Sequence, residues 1–390
     1  MIFLLFCFGY SGKFAVLIAG SNGWVNYNQQ ASVFSMYQRL IKRGFKPSQI
    51  VMFAYDDIAY NMLNPYPGQI FNTREHFNVY PSHEAINFTG RDVNAQQIYK
   101  SLINLPTTSE DYLFIYYNDH GSFNQLAIPT GNGESMYSWE IANVLDQMEM
   151  KGLFKKCLFV IESCYAGTIA LQSKNPNVAF ITSSSDTQTS YTEIFDIKVD
   201  NTINAQLSSA FMYFMDRKST LSVGDFHKII KPYVIGSDAV LYSSQEFQKE
   251  NMSDFIGLPA TETTVERAVL LSNDDIPRLL RGEVFETIDE DSKRKHNENI
   301  ESMKTLSIRL DNVIKYIITS LDSDNISEYY KLPKSSTVFK DYQDVSKAFY
   351  QYFGEINPND GLKLIALYNV CLKHKKDNII RTIIEATNKY

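Results

Sequence analysis

Cysteine is scarce and unpatterned in this chain: Cys7, Cys157, Cys164 and Cys371 show neither paired spacing nor a C-x-x-C. This excludes a disulfide-stapled scaffold and a cysteine zinc cage, and leaves room for a lone reactive thiol. Histidine is scarce too. His76, His83, His120, His227, His296 and His374 form no H-x-x-x-H pair, and the carboxylates near them lack metal-ligand spacing, so neither a metal nor a cofactor is expected. Bases are outnumbered, 37 Lys and Arg against 44 Asp and Glu for a net charge of −7, and no basic stripe is present. Phosphate binding rests on clustered bases, so nucleic acid is not an expected partner. Past the N-terminus no stretch approaches the roughly 18 apolar residues of a membrane span. AGSNG (19–23) lacks G-x-G-x-x-G spacing, which argues against a nucleotide. No internal repeat or long low-complexity tract is evident.

Aromatic residues are abundant, with 25 Tyr and 25 Phe, and 44% hydrophobic content in 390 residues supports one large domain plus a smaller one. The apolar run Ile2–Phe8, followed by small residues, has the layout of a very short signal peptide, so residues 1–12 are expected to be a leader and the protein to enter the secretory route. Sequons at Asn87, Asn251 and Asn325 fit that route without deciding it. KFAVLIAGS (13–21), QIVMFAYDD (49–57), the run ending at 118, CLFVIES (157–163) and VAFITSSS (178–185) read as buried strands. Helical spacing lies between them at Gln30–Arg43, Asn94–Leu105 and Ser138–Met150. This alternation predicts an α/β domain over 13–258, with a mainly parallel sheet sandwiched by helices and a last strand at 239–244. The polar stretch 58–92 is too long for a simple connection and reads as a functional loop region. Residues 259–302 read as a charged linker, and 303–390 as an all-helical domain whose first helix is Met303–Leu321.

Two strands carry chemistry at their ends. FIYYNDHGSF (114–123) runs from buried-strand composition straight into His120, and CLFVIESCYAG (157–167) runs into Cys164. In an open parallel sheet, catalytic groups collect outside the carboxyl ends of the strands. One crossover helix joins the two, so as neighbours about 4.8 Å apart they place thiol and imidazole on one rim. A Cys-His dyad is then available, with Gly121 N–H and Cys164 N–H as oxyanion donors. Taken singly, a strand-end cysteine is most often a small buried hydrophobe and a lone histidine a packing residue. Cys157, at a strand start, has that bland reading, and Asp56-Asp57 reads as structural support for loops near the site.

The pattern of apolar strand, D-H-G, then apolar strand and E-x-C-x-x-G resembles the caspase-like cysteine peptidases, and among them the legumain family of asparaginyl endopeptidases. VLIAGSNGWVNYNQQA (16–31), YDDIAYNMLNPYPGQIFN (55–72), NFTGRDV (87–93), FIYYNDHGS (114–122) and FVIESCYAG (159–167) follow that family's motifs in order. The resemblance covers about 13–250, and the helical tail has the position and character of the family's C-terminal prodomain. It implies a caspase-like fold and a zymogen whose tail acts as an intramolecular inhibitor. It also implies protein or peptide substrates and a lysosome- or vacuole-like, or secreted, location. Residue by residue it makes Cys164 the nucleophile, His120 the general acid/base and Asn26 the residue orienting the histidine. Asp119 matches the aspartate beside that histidine and Glu162 a substrate-pocket position, and Ser190 is a further substrate-binding candidate.

The chain departs from the family in that pocket. N-Y-R-H-Q-A of the family becomes Asn26-Tyr27-Asn28-Gln29-Gln30-Ala31, so Asn28 replaces an arginine and Gln29 a histidine, and the aspartate expected near 205–206 falls on Ala205 or Gln206. Amides on Asn28, Gln29 or Gln206 can still pair with an asparagine amide at P1 (the substrate residue before the cut bond), so cleavage after Asn is the expectation. A transamidase or ligase would use the same dyad, and a non-catalytic peptide-binding paralogue is a reading of a different class. Asn297 and Asn299, in the linker, offer sites for self-cleavage.

Overall fold

The computed structural model describes residues 12–218, 220–258, 290–322, 326–331, 339–354 and 363–390. The expected leader, apart from Gly12, lies outside these residues, as do 259–289 of the expected linker and the sequon at Asn325. The described residues fall into two compact units, one within 1–120 and 126–268 and the other within 121–125 and 269–390.

The first unit is built on six strands: β1 (Lys13–Ala19), β2 (Ile50–Phe53), β3 (Tyr112–Asn118), β4 (Lys156–Glu162), β5 (Val178–Thr182) and a later strand, Val240–Tyr242. The order across the sheet is Val240–Tyr242, β5, β4, β3, β1, β2. All pairs are parallel except that of Val240–Tyr242 with β5, which is antiparallel at the edge. The runs are apolar without alternation because both faces are covered. Ala15, Leu17, Phe114, Tyr116, Leu158 and Val160 face one apolar layer, and Val16, Ile18, Leu113, Ile115, Phe159 and Ile161 the other. The first layer holds α1 (Tyr27–Lys42) and the later helices Gln206–Lys218 and Val223–Ile230. The second holds α2 (Ala95–Leu102) and α3 (Ser138–Met150), the crossover between β3 and β4. Asn94 caps α2 by accepting from Gln97 N–H, as its amide type favours.

Two differences from the sequence reading bear on the site. The second strand stops at Phe53, since Asp56 takes a left-handed backbone (φ 67°) and leaves the sheet. A hairpin of β6 (Thr192–Asp196) and β7 (Asn201–Ala205) occupies a stretch where no strand was expected. Its strands, TEIFD and NTINA, are too polar to give an apolar alternation, and Asp200 (φ 55°) makes the turn where no Gly-Asn signal exists. The helix Gln206–Lys218, which follows directly, is α4.

The second unit is helical: α5 of this numbering is Val223–Ile230 in the first unit, and the second holds α6 (Glu290–Leu321), α7 (Phe339–Phe353), α8 (Ile365–Lys373) and α9 (Lys376–Lys389). Leu310, Val313, Ile314, Ile317 and Ile318 form the buried stripe of α6, and Val345 and Phe349 of α7 and Ile379 and Ile383 of α9 are buried as well. α6 begins well before the expected Met303. Glu290 and Asp291 each precede a base by four residues, a spacing that supports helix where the charge density reads as linker. The backbone at Asn297 and Asn299 is therefore helical. The short segment Gly121–Gln125 clusters with these helices: Gln125 Nε2 donates to Tyr342 OH (3.2 Å) and Ser346 Oγ (2.8 Å), and the Phe123 ring meets Tyr368 edge-on. No described helix is long and apolar enough to cross a membrane.

Phe114 is fully buried in β3 and stacks on Phe211 at 5.9 Å. Phe114→Ala is expected to cost about 3–5 kcal/mol, read as a lower urea midpoint; an unchanged midpoint would contradict this packing.

Candidate active site

The register of β3 and β4 runs in step to Asn118 opposite Glu162, and Asp119 N–H then donates to the Glu162 carbonyl at 3.1 Å. His120 and Cys164 each follow two residues beyond that last pair, just past the ends of adjacent strands. Cys164 stands at the tip of a sharp turn. Tyr165 after it takes a left-handed backbone (φ 55°), a strained state for a bulky residue that persists because its surroundings fix it. Tyr165 N–H donates to Gln188 O, while Ser183 Oγ and Ser184 Oγ both donate to Ser163 O. The Ser-rich loop after β5 thus serves as the frame of the cysteine turn. A Cβ on Gly167 would collide with Asp186 N and the Tyr242 hydroxyl, which accounts for the glycine that closes E-x-C-x-x-G.

The imidazole is fixed from the other side. His120 Nε2 lies 2.9 Å from Asn26 Oδ1, and Asn26 Nδ2 donates to Asn22 O at 2.9 Å. The amide oxygen can only accept, so Nε2 carries the proton and the Nδ1 lone pair is left for other work. Asn26 sits at the N-cap of α1 but makes no cap bond. The loop carrying it is tied down by Asp57, whose carboxylate accepts from Gly23 N–H (2.7 Å) and Gln30 Nε2 (2.8 Å). Asp56 pairs with His83 at 2.6 Å.

Cys164 is 6% exposed, and its sulfur has its hydrogen-bonding contacts with Ser190: the Ser190 N–H donates to it at 3.4 Å, with Ser190 Oγ at 3.8 Å. Burial pushes the thiol pKa up, against the pull of the Ser190 bonds. Cys157, fully buried, is pushed up by burial alone and is chemically inert packing. Asp119 is buried with neither carboxylate oxygen in hydrogen-bond geometry; burial outweighs the charge and backbone N–H of His120 and the nearby Ser21, which pull its pKa down, and it rises to about 6. It packs where a Cβ on Gly20 would come within 2.7 Å of its Oδ2. Glu162 accepts from Ser208 N–H (2.8 Å) and Ser208 Oγ (3.1 Å), and burial raises its pKa to about 7. Ser208 also bonds Tyr116 OH and Asn118 Nδ2, which closes a buried polar network under the strand ends.

The remaining pocket residues are placed unequally. Asn28 and Gln29 are buried in the first turn of α1, and Gln29 Oε1 has no partner. Gln206 is turned to another task, its Oε1 accepting from Ile235 N–H (2.9 Å) and Gly236 N–H (3.1 Å), and Ala205 closes β7. Gly121 opens the segment that clusters with the helical unit. Among the described residues no group of three His, Cys, Asp or Glu side chains is placed to hold a metal. The sequence reading missed Ser208, Ser183 and Ser184, and Asn118, whose only signal is a polar residue closing an apolar strand.

The model of the Peptidase C13 family matches residues 13–258. Legumain of Canavalia ensiformis is 36% identical over 190 residues, covering 45% of this chain and 39% of that protein. Vacuolar-processing enzyme beta-isozyme 1 of Oryza sativa subsp. japonica is 35% identical over 193 residues, covering 46% and 38%. Hemoglobinase of Schistosoma japonicum is 27% identical over 395 residues, covering 94% and 91%. The match thus spans less than half the length of the two plant relatives. Among solved structures, caspase-1 from Spodoptera frugiperda aligns with a TM-score of 0.35 at 11% identity over 59% of this chain and 85% of that one, a likeness that carries no argument.

A carboxyl whose pKa is raised by folding holds its proton more tightly folded than unfolded. The stability that Asp119 and Glu162 contribute is therefore full below their unfolded values and lost as pH rises through about 6 and about 7. The melting temperature is expected to fall as pH rises across that window, and Glu162→Gln to flatten part of the fall; equal slopes in the two proteins would refute the assignment.

Proposed function

The chain belongs to the Peptidase C13 family, and from that premise we propose that it is a cysteine-type endopeptidase in which Cys164 attacks the peptide carbonyl and His120 moves the proton. The observation that supports this reading is the equal two-residue offset of the pair past the last register match of β3 and β4, with Asn26 holding Nε2 so that Nδ1 is left as the acceptor. The resting sulfur is a thiol, since burial raises its pKa. Nδ1 takes the thiol proton as Sγ bonds to the carbonyl carbon, and the oxyanion is met by the N–H groups of Cys164 and Gly121. The imidazolium then gives its proton to the leaving amine, and water, deprotonated by the same imidazole, releases the acid and restores the thiol. An amine in place of that water makes the enzyme a ligase, with the same intermediates.

Glu162, Ser190, Asn28 and Gln29 are assigned to the substrate pocket and Asn is the leading P1 residue, the amides at 28 and 29 standing in for the charged pair of the family. The raised pKa values of Asp119 and Glu162 favour an acidic compartment, in keeping with the vacuolar-processing names of two relatives. The helical unit is read as an inhibitor, supported by its clustering with Gly121–Gln125, which directly follow His120. Cleavage at Asn297 or Asn299 would need the first turns of α6 to open, which favours processing sites outside that helix.

Cys164→Ala is expected to abolish cleavage of Asn-containing peptides and His120→Ala to lower kcat by about 10²–10⁴-fold. Asn26→Ala should lower kcat while leaving peptide binding intact, since it acts through the imidazole. A Cys164→Ala protein that cleaves as wild type would end the peptidase reading. Limited proteolysis within 259–289 followed by separation of the pieces should raise activity; no rise would remove the inhibitory role.

A further inference from the structure

Beside the cysteine turn lies a second carboxylate that the family resemblance does not assign. Glu193 is in β6, three residues beyond Ser190, whose N–H contacts the Cys164 sulfur. In the antiparallel register it lies opposite Asn204, and directly opposed residues share a face of the sheet. The Asn204 side chain is buried, bonded to Ser32 of α1 (3.2 Å) and to Asn72. Glu193 is therefore on the inner face of the hairpin, toward α1. Ile194 after it is held at φ 54°, a conformation that β-branched residues avoid, so the local direction of the strand is imposed by its surroundings.

This face converges with Glu162. Consecutive serines in the first turn of α4 attend the two carboxylates: Ser208 bonds Glu162, and Ser209 lies close enough to Glu193 to lower its pKa, against burial that raises it. The charge of Glu193 in turn reaches Glu162. The positive end of α4 makes a carboxylate pair tenable there. Two buried acceptors in this region have no hydrogen-bond partner: Glu162 Oε1, and Gln29 Oε1, the latter one turn before Ser32 on α1. A buried acceptor without a partner costs about 1–3 kcal/mol, so a ligand group that supplies N–H donors is favoured there. The exposed Arg74 guanidinium is the cation whose charge reaches Glu193.

We propose that Glu193 is a specificity-determining residue: with Glu162 and Gln29 it lines the P1 pocket with acceptors, and with negative charge once the carboxyls have ionised, selecting P1 side chains that donate N–H bonds and turning away P1 carboxylates. The carboxamide of Asn and the amine cation of Lys satisfy that demand, while Asp brings a charge of the wrong sign and no donors. The proposal rests on the peptidase reading above and extends it to the substrate class.

The test uses the full chain at pH 8, above the value of about 7 to which burial raises Glu162, and three peptides that differ only in P1, as Asn, Lys or Asp. Wild type is expected to cleave the Asn and Lys peptides at least about 10-fold better than the Asp peptide, and Glu193→Gln to lower the Lys-to-Asn ratio about 10-fold, the scale of one charge-assisted hydrogen bond. Glu193→Asp, which keeps the charge, should recover part of the ratio and guards against a mere folding defect. Equal cleavage after Asp, or an unmoved ratio in Glu193→Gln, overturns the proposal. Should wild type cleave none of the three, binding of the same peptides to Cys164→Ala by calorimetry separates the two ideas. Asn and Lys bound over Asp would uphold the pocket while sinking the peptidase reading, and no preference would sink the pocket as well.

Discussion

The backbone hydrogen bond from Asp119 N–H to the Glu162 carbonyl carries the pairing of β3 and β4 past the last strand residues, and the positions of His120 and Cys164 just beyond depend on it. A parallel sheet buried on both faces cannot slip its register, because a shift of one residue would exchange the side chains of its two apolar layers. Phe114 and Leu158 belong to one layer and Leu113 and Phe159 to the other, so the core itself sets the strand ends level. Precision at the rim is thus inherited from packing well below it.

The site departs from local stability rules in several places. Asn26 leaves α1 without a side-chain cap, a loss of about 1 kcal/mol, and spends its amide on the imidazole instead. Tyr165 adopts a backbone that side chains disfavour, and Asp119 is buried without a hydrogen bond to its oxygens. These costs are tolerable because the neighbouring serines, 163, 183, 184 and 208, bind both backbone and side chains around the turn. Local inconsistency of this kind is expected where function, not folding, selects the residue.

Much of this was legible in the sequence. The strands of the sheet announce themselves as unbroken apolar runs, and two of them end in chemistry, so His120, Cys164 and their shared rim follow from topology rules alone. Asn26 was reachable only through family resemblance, since no spacing links it to His120. The β6–β7 hairpin was not legible because its strands are polar, and with it went Glu193, whose surroundings come from β7 and the start of α4. Gln206 looked available for substrate, but its amide is engaged by the backbone at 235–236, a pairing no local pattern reveals. The start of α6 was hidden by charge density, which resembles a solvated linker unless the four-residue spacing of opposite charges is weighed.

The clustering of Gly121–Gln125 with the helices bears on how such a chain would be taken apart. A backbone cut anywhere in 259–289 leaves those five residues covalently joined to His120, while Tyr342, Ser346 and Tyr368, which grip them, go with the other piece. A nicked molecule therefore stays clasped until Gln125 and Phe123 let go. Severing the chain and parting the fragments are then separate events.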